Sequence, residues 1–148
     1  MKKISRILIL FFSISIILLG CSKEKENLKK DLNLEKAQKI EVLSVDNQKS
    51  VLNVITSKTD INEFVHSLQM DKWRIKDIPL NVTREKIYKM YQEDTTKLGE
   101  SSTDKKELKQ IATIITYKDS PYITFKIKKL NLSFKVPKDV EEYLSSNN

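Results

Sequence analysis

The sequence predicts an α+β domain: a small antiparallel β-sheet of about five strands, one main amphipathic helix packed on one face, and a short C-terminal helix. Three stretches carry that reading. Ile61, Phe64, Val65 and Leu68 recur at i, i+3, i+4 and i+7, the apolar stripe of a helix that covers a sheet. Tyr122–Lys128 alternates, with Ile123, Phe125 and Ile127 to one side and Thr124, Lys126 and Lys128 to the other. After a tight turn near Lys129, the residues Leu130, Leu132, Phe134 and Val136 repeat the same period of two.

The remaining elements follow in order from Ala37, where the folded part is expected to open. Lys39–Val45 and Val51–Ile55 read as a hairpin about the turn residues Asp46–Lys49. Ser57 is placed to cap a helix over Ser57–Met70, with Asp60 three residues on as the acid of a capping box, and His66 falls on its exposed side. Between Asp71 and Asn81, Pro79 discourages helix just before it. That stretch is expected to be a short strand or extended connection, with Trp73 closing one end of the core. Thr83–Asp94 fits a helix with Ile87, Met90 and Tyr91 inward, and also a strand with Ile87, Lys89 and Tyr91 on one face; the helix is preferred. Thr95–Glu107 is polar and reads as an exposed loop. Gln110–Tyr117 is a strand rich in Ile and Thr. Pro137–Ser145 is a final helix with proline in its first turn and Val140, Tyr143 and Leu144 on one side.

Composition narrows the chemistry. The 148 residues contain two glycines, Gly20 and Gly99, so neither a phosphate-cradling loop nor a nucleophile elbow can be built. One histidine and one cysteine leave no metal site of the usual nitrogen and sulfur composition, and the carboxylate spacings match no calcium loop. No catalytic residue, metal ligand or cofactor is therefore assigned. His66 could serve as a general base, but the predicted helix points it at water, with Ser67 and Asn62 nearby in sequence. Trp73 with Tyr88, Tyr91, Tyr117 and Tyr122 could stack a sugar, but aromatics are the usual filling of a core, and that is the expectation here. Nucleic acid is not an expected partner, because no motif or aromatic interleaving accompanies the positive charge.

The N-terminus has a different pattern. Lys2, Lys3 and Arg6 precede an apolar run from Ile7 to Leu19, relieved only by Ser13 and Ser15; Leu18, Leu19, Gly20 and Cys21 follow from its end. The run is 13 residues, the length of a signal-peptide core, whereas a membrane-spanning helix needs roughly 20. This stretch resembles the lipobox of bacterial lipoproteins, with Leu19 at −2 where that family more often has Ala, Ser or Thr. The resemblance implies cleavage between Gly20 and Cys21, a diacylglyceryl group bearing palmitate-type chains on the Cys21 sulfur, and residence on the outer face of the cell membrane. Residues 1–20 are then a signal peptide, 21–36 the lipidated cysteine and a charged tether, and 37–148 a single domain. Without the signal, 24 basic side chains stand against 20 acidic ones, a net of +4. With its single cysteine assigned to lipid, the domain holds no disulfide.

The positive charge gathers around the last hairpin, at Lys118, Lys126, Lys128, Lys129, Lys135 and Lys138, opposed only by Asp119. Lys126, Lys128, Lys129 and Lys135 are the candidate contacts to an anionic surface; lysines on an exposed sheet also serve simply to prevent edge-to-edge pairing. A second resemblance rests on ITSKTDINEFVHSL opening a helix, RIKDIPLN as a proline-containing connection and KDVEEYL at the end. Over Lys39 to Leu144 the layout is similar to small single-domain lipoproteins of Firmicutes, a source that the excess of Lys over Arg also suggests. That family carries no assigned activity or site residues. The expected role is a monomeric, non-enzymatic binding module at the envelope, with a protein, peptide or anionic polymer as partner. The alternative is an immunity-type lipoprotein that captures a membrane-active peptide such as a bacteriocin.

Overall fold

The computed structural model describes residues 34–46, 50–93 and 107–147. The signal stretch, Cys21, the tether up to residue 33 and the greater part of the expected 95–107 loop lie outside the described residues. Packing starts slightly earlier than the charge pattern suggests. A 3₁₀ turn over Leu34–Lys36 buries Leu34, and Ala37 behind it is fully buried.

Seven antiparallel strands form one sheet: β1 (Lys39–Ser44), β2 (Val51–Ile55), β3 (Arg74–Ile75), β4 (Arg84–Glu93), β5 (Leu108–Tyr117), β6 (Ser120–Ile127) and β7 (Leu130–Lys135). Their spatial order is β2-β1-β4-β5-β6-β7-β3. Among the described residues two helices accompany them, α1 (Lys58–Ser67) and α2 (Lys138–Ser146). The α+β class is therefore as the sequence predicts, with seven strands in place of about five. The additions to the count are β4, where a helix was preferred, and the two-residue β3, which falls in the stretch expected to be a short strand or extended connection.

β4 is the correction with the widest consequence. The preferred helix over Thr83–Asp94 is instead a ten-residue strand, held along its length by β1 on one side and β5 on the other. Its pleat sends Lys86, Tyr88 and Met90 into the core and leaves Ile87, Lys89 and Tyr91 on the opposite face, half-buried. The local sequence fits both periods. The choice was made by backbone partners elsewhere in the chain, which is how strand preference usually depends on context.

The register divides the sheet into two faces. Ile40, Val42, Tyr88, Met90, Ala112, Ile114, Ile123, Phe125 and Phe134 lie on one of them, and all are buried. α1 covers this face through Ile61, Phe64, Val65 and Leu68, with Phe64 stacked on Tyr88 at 5.4 Å between ring centroids. Its cap is the expected one: the Ser57 hydroxyl accepts from the Asp60 amide at 3.4 Å. Trp73 closes the end of the core as expected. It stands edge-on to Phe125 at 5.7 Å, lies 5.3 Å from Phe134, and donates its indole N–H to the Leu68 carbonyl at 2.6 Å.

α2 is tied down at its C-terminus by the buried side of β4. The Tyr88 hydroxyl donates to the Leu144 carbonyl, and the Lys86 ammonium to the carbonyls of Ser145 at 2.6 Å and Asn147 at 2.9 Å. Carbonyls at a helix end lack partners within the helix and carry partial negative charge, so a cation there is favourable. Burial nevertheless pushes the Lys86 ammonium's pKa down and the Tyr88 phenol's far up. Pro137 occupies the cap position, one residue before the expected first turn.

Candidate functional site

Neither helix packs on the second face of the sheet, and its two halves differ in chemistry. The β1–β4 half carries Lys39, Glu41, Lys89 and Tyr91. Glu41 binds Lys39 at 2.6 Å and accepts the Tyr91 hydroxyl at 2.8 Å, while the Lys39 ammonium lies 5.7 Å from the centre of the Tyr91 ring. The Lys39 ammonium, chiefly, holds the Glu41 carboxyl below the usual carboxylate range, and Tyr91 and Lys89 add to it against an opposing effect of burial. Burial, with the Glu41 carboxylate beside it, raises the Tyr91 phenol to about 12. This half therefore has a carboxylate among its cations: Glu41 pairs with Lys39 and stands opposite Lys89 in the strand register.

The centre of the face is closely packed. Leu43 and Ile115 are buried there, the Tyr117 and Thr124 hydroxyls share a hydrogen bond at 2.8 Å, and the Gln110 amide donates to Thr113 at 2.8 Å.

The β6–β7–β3 half is the candidate site. Arg74 on β3 and Lys135 on β7 are direct cross-strand partners, and Lys126 on β6 lies on the same face. All three are exposed, and none has an ion pair among the described residues. Like charges directly opposite one another in a sheet repel. Beyond the end of β6, Lys128 and Lys129 form the two-residue turn to β7, both exposed, followed by the exposed Leu130. Lys128 sits at φ 51°, left-handed backbone where a hairpin turn usually places glycine. A non-glycine residue there costs about 1–2 kcal/mol.

Of the four lysines named from the sequence, Lys126 and Lys135 share a face and Lys128 and Lys129 extend it at the tip. One expectation is corrected: Lys128 does not share a strand face with Lys126, because β6 ends at Ile127 and the chain turns there. Lys118 and Lys138 do not belong to the patch. Lys118 lies in the turn that precedes β6, at the end of that strand away from Lys128 and Lys129, and Lys138 pairs with Glu142 at 3.3 Å on α2. The sequence reading missed Arg74, since a two-residue strand leaves no periodicity to find. His66 is exposed on α1 as expected. Trp73 and Tyr88 belong to the helix-covered face and Tyr91, Tyr117 and Tyr122 to the other, so the aromatics make no single platform. Gly20 and Cys21 are outside the described residues.

Among the described residues no group of three or more His, Cys, Asp or Glu side chains is placed to hold a metal ion, and no helix is long and apolar enough to cross a membrane. Comparison with protein-family models, with curated proteins and with solved structures yields no match.

Proposed function

We propose that this chain is a lipoprotein anchored through Cys21 on the outer face of the cell membrane, a non-enzymatic binding module whose β6–β7–β3 cations contact an anionic surface of the envelope. The anchor rests on the sequence around Cys21. The contact rests on one observation: Arg74 and Lys135 oppose each other across a strand pair with no carboxylate to relieve them, beside exposed Lys126, Lys128 and Lys129. Repulsion that the fold leaves uncompensated is relieved by negative charge from outside. Near an anionic membrane each such cation contributes about 1 kcal/mol.

The test uses residues 22–148, which retain every described element, with phosphatidylglycerol-containing vesicles against neutral ones. Binding is expected only to the anionic vesicles and to weaken with salt. Replacing Arg74, Lys126 and Lys135 together by Gln should lower affinity about 100-fold, the equivalent of about 3 kcal/mol. Binding that ignores salt and survives the triple substitution refutes the contact. The anchor is tested separately: Cys21→Ser should release the full chain from membranes or leave it uncleaved.

A second reading, capture of a membrane-active peptide, has one specific observation in its favour. β2 is a sheet edge without a charged residue, and Val51, Leu52 and Val54 are exposed along it, a surface on which an extended peptide can add as a further strand.

A further inference from the structure

The strand register shows which end of the sheet the N-terminal stretch feeds. One row of cross-strand partners runs from β1 to β7: Ile40, Met90, Ala112, Ile127 and Leu130. Just outside that row on the β1 side, the Gln38 amide donates to the Tyr91 carbonyl at 2.8 Å, and the Leu34–Lys36 turn precedes it. Just outside it on the β7 side is the Lys128–Lys129 turn. The chain therefore enters β1 at the end of the sheet that carries the tip of the last hairpin. Three strands separate β1 from β7, so the two points stand about 19 Å apart across the sheet.

That end has the chemistry of a bilayer contact. Lys128 and Lys129 are exposed at the tip, and Leu130 behind them is 60% exposed. Leu108, where β5 begins at the same end, is exposed as well. Lysine can reach a headgroup while its stem lies along hydrocarbon. Lys128 also keeps its place in left-handed backbone, φ 51°, where glycine is the less costly residue. The turn at the other end of β6 is different. Its two residues, Lys118 and Asp119, cancel in charge, and their neighbours Tyr117 and Ser120 are buried.

We infer that the domain meets the bilayer end-on through the Lys128–Lys129 turn, with both ammonium groups on phospholipid headgroups and Leu130 entering the boundary between headgroups and acyl chains. The inference rests on the Cys21 anchor and the anionic contact proposed above, and adds to them an orientation. Residues 22–33 join Cys21 to Leu34, so the anchor tethers the end of the sheet that bears the tip. A wall polymer or a soluble peptide as partner would give no reason for chain entry and hairpin tip to coincide. Lys135, at the far end of β7, and its partner Arg74 come to the surface behind the tip when the domain tilts onto its second face.

The experiment is a depth measurement on the full chain, processed in a bacterial host and held in phosphatidylglycerol-containing vesicles. One nitroxide-labelled cysteine is introduced as Leu130→Cys, Lys129→Cys or Lys118→Cys, and its collisions with a water-soluble nickel chelate are read by electron paramagnetic resonance. The Leu130→Cys probe should meet the chelate about fivefold less often than the Lys118→Cys probe, with Lys129→Cys between them, as for a group in the interfacial layer. The Lys129→Cys probe leaves Leu130 in place. Adding Leu130→Asp to it should raise its collision rate about twofold, because a carboxylate resists leaving water. Equal chelate access at the two ends, or a Lys118→Cys probe deeper than the tip, would overturn the orientation and leave the anchor standing. A depth difference that persists unchanged in neutral vesicles would overturn the part given to the lysines. The chain with no added cysteine should take no label, since lipid occupies Cys21; labelling there would overturn anchor and orientation together.

Discussion

The two halves of the sheet face on which neither described helix packs carry similar cations and treat them differently. In the β1–β4 half, Lys39 has a carboxylate at 2.6 Å, and that carboxylate also holds the Tyr91 hydroxyl. In the β6–β7–β3 half, Arg74 faces Lys135 directly, and Lys126, Lys128 and Lys129 add to the same sign without an ion pair among the described residues. Within one sheet of this protein, then, a carboxylate stands among the cations in one place, and none pairs with them in the other. Strand stability does not ask for the second arrangement, because like charges opposite one another weaken a sheet. The proposed contact with an anionic surface rests on that difference.

The largest effect should come from the residue that holds the unpaired half together. Trp73 is the aromatic anchor just before β3, so Trp73→Ala should cost about 3–5 kcal/mol in urea unfolding. Where the variant is still folded, its vesicle affinity should fall further than that of Arg74→Gln, because β3 as a whole loses its seat. A loss under 1 kcal/mol would show that β3 is held by β7 alone.

Next in size is a substitution expected to move stability and binding in opposite directions. Lys128→Gly relieves the left-handed backbone at the tip and should stabilise the fold by up to about 1 kcal/mol, while removing one cation should lower vesicle affinity about fivefold. A fall in both would mean that the turn lysine serves the hairpin and not a surface.

The smallest effect belongs to the paired half. Glu41→Gln should cost less than about 1 kcal/mol at neutral pH, as for a partly exposed ion pair, and leave vesicle affinity unchanged within about twofold. Because the folded-state pKa of Glu41 is lowered, its contribution is present above the ordinary value of 4.5 and is lost as pH falls through the lowered one. The stability difference between wild type and variant, followed from pH 7 to pH 3, should therefore close on the acid side. A difference independent of pH would remove the ion pair from the account. A marked rise in vesicle affinity would show instead that both halves face the membrane.

Much of this was legible from residues close together in the chain. The α1 stripe Ile61, Phe64, Val65, Leu68 and its Ser57 cap, the β6–β7 alternation, and the burial of Trp73 all follow from local period and local capping, and the structure has them where they were expected. The charged nature of the last hairpin was likewise visible in Lys126, Lys128, Lys129 and Lys135. The candidate site was half legible, since its lysines could be read but their neighbours could not. Arg74 lies in a connection with no pattern of its own, and only β7 makes it the partner of Lys135.

What the sequence by itself determined is the α+β class, the helical stripe and cap of α1 and the two-residue period of the last hairpin. Each depends on residue type and short spacing, which no distant contact alters. Only the tertiary structure decided that residues 84–93 are a strand, that Lys118 and Lys138 stand apart from the other lysines, that Arg74 meets Lys135, and that the chain enters β1 at the end of the sheet that carries the Lys128–Lys129 turn. These are matters of which strand lies beside which. A stretch such as Thr83–Asp94 satisfies the helical and the extended period equally well, and the backbone of β1 and β5, tens of residues away on either side, chose between them.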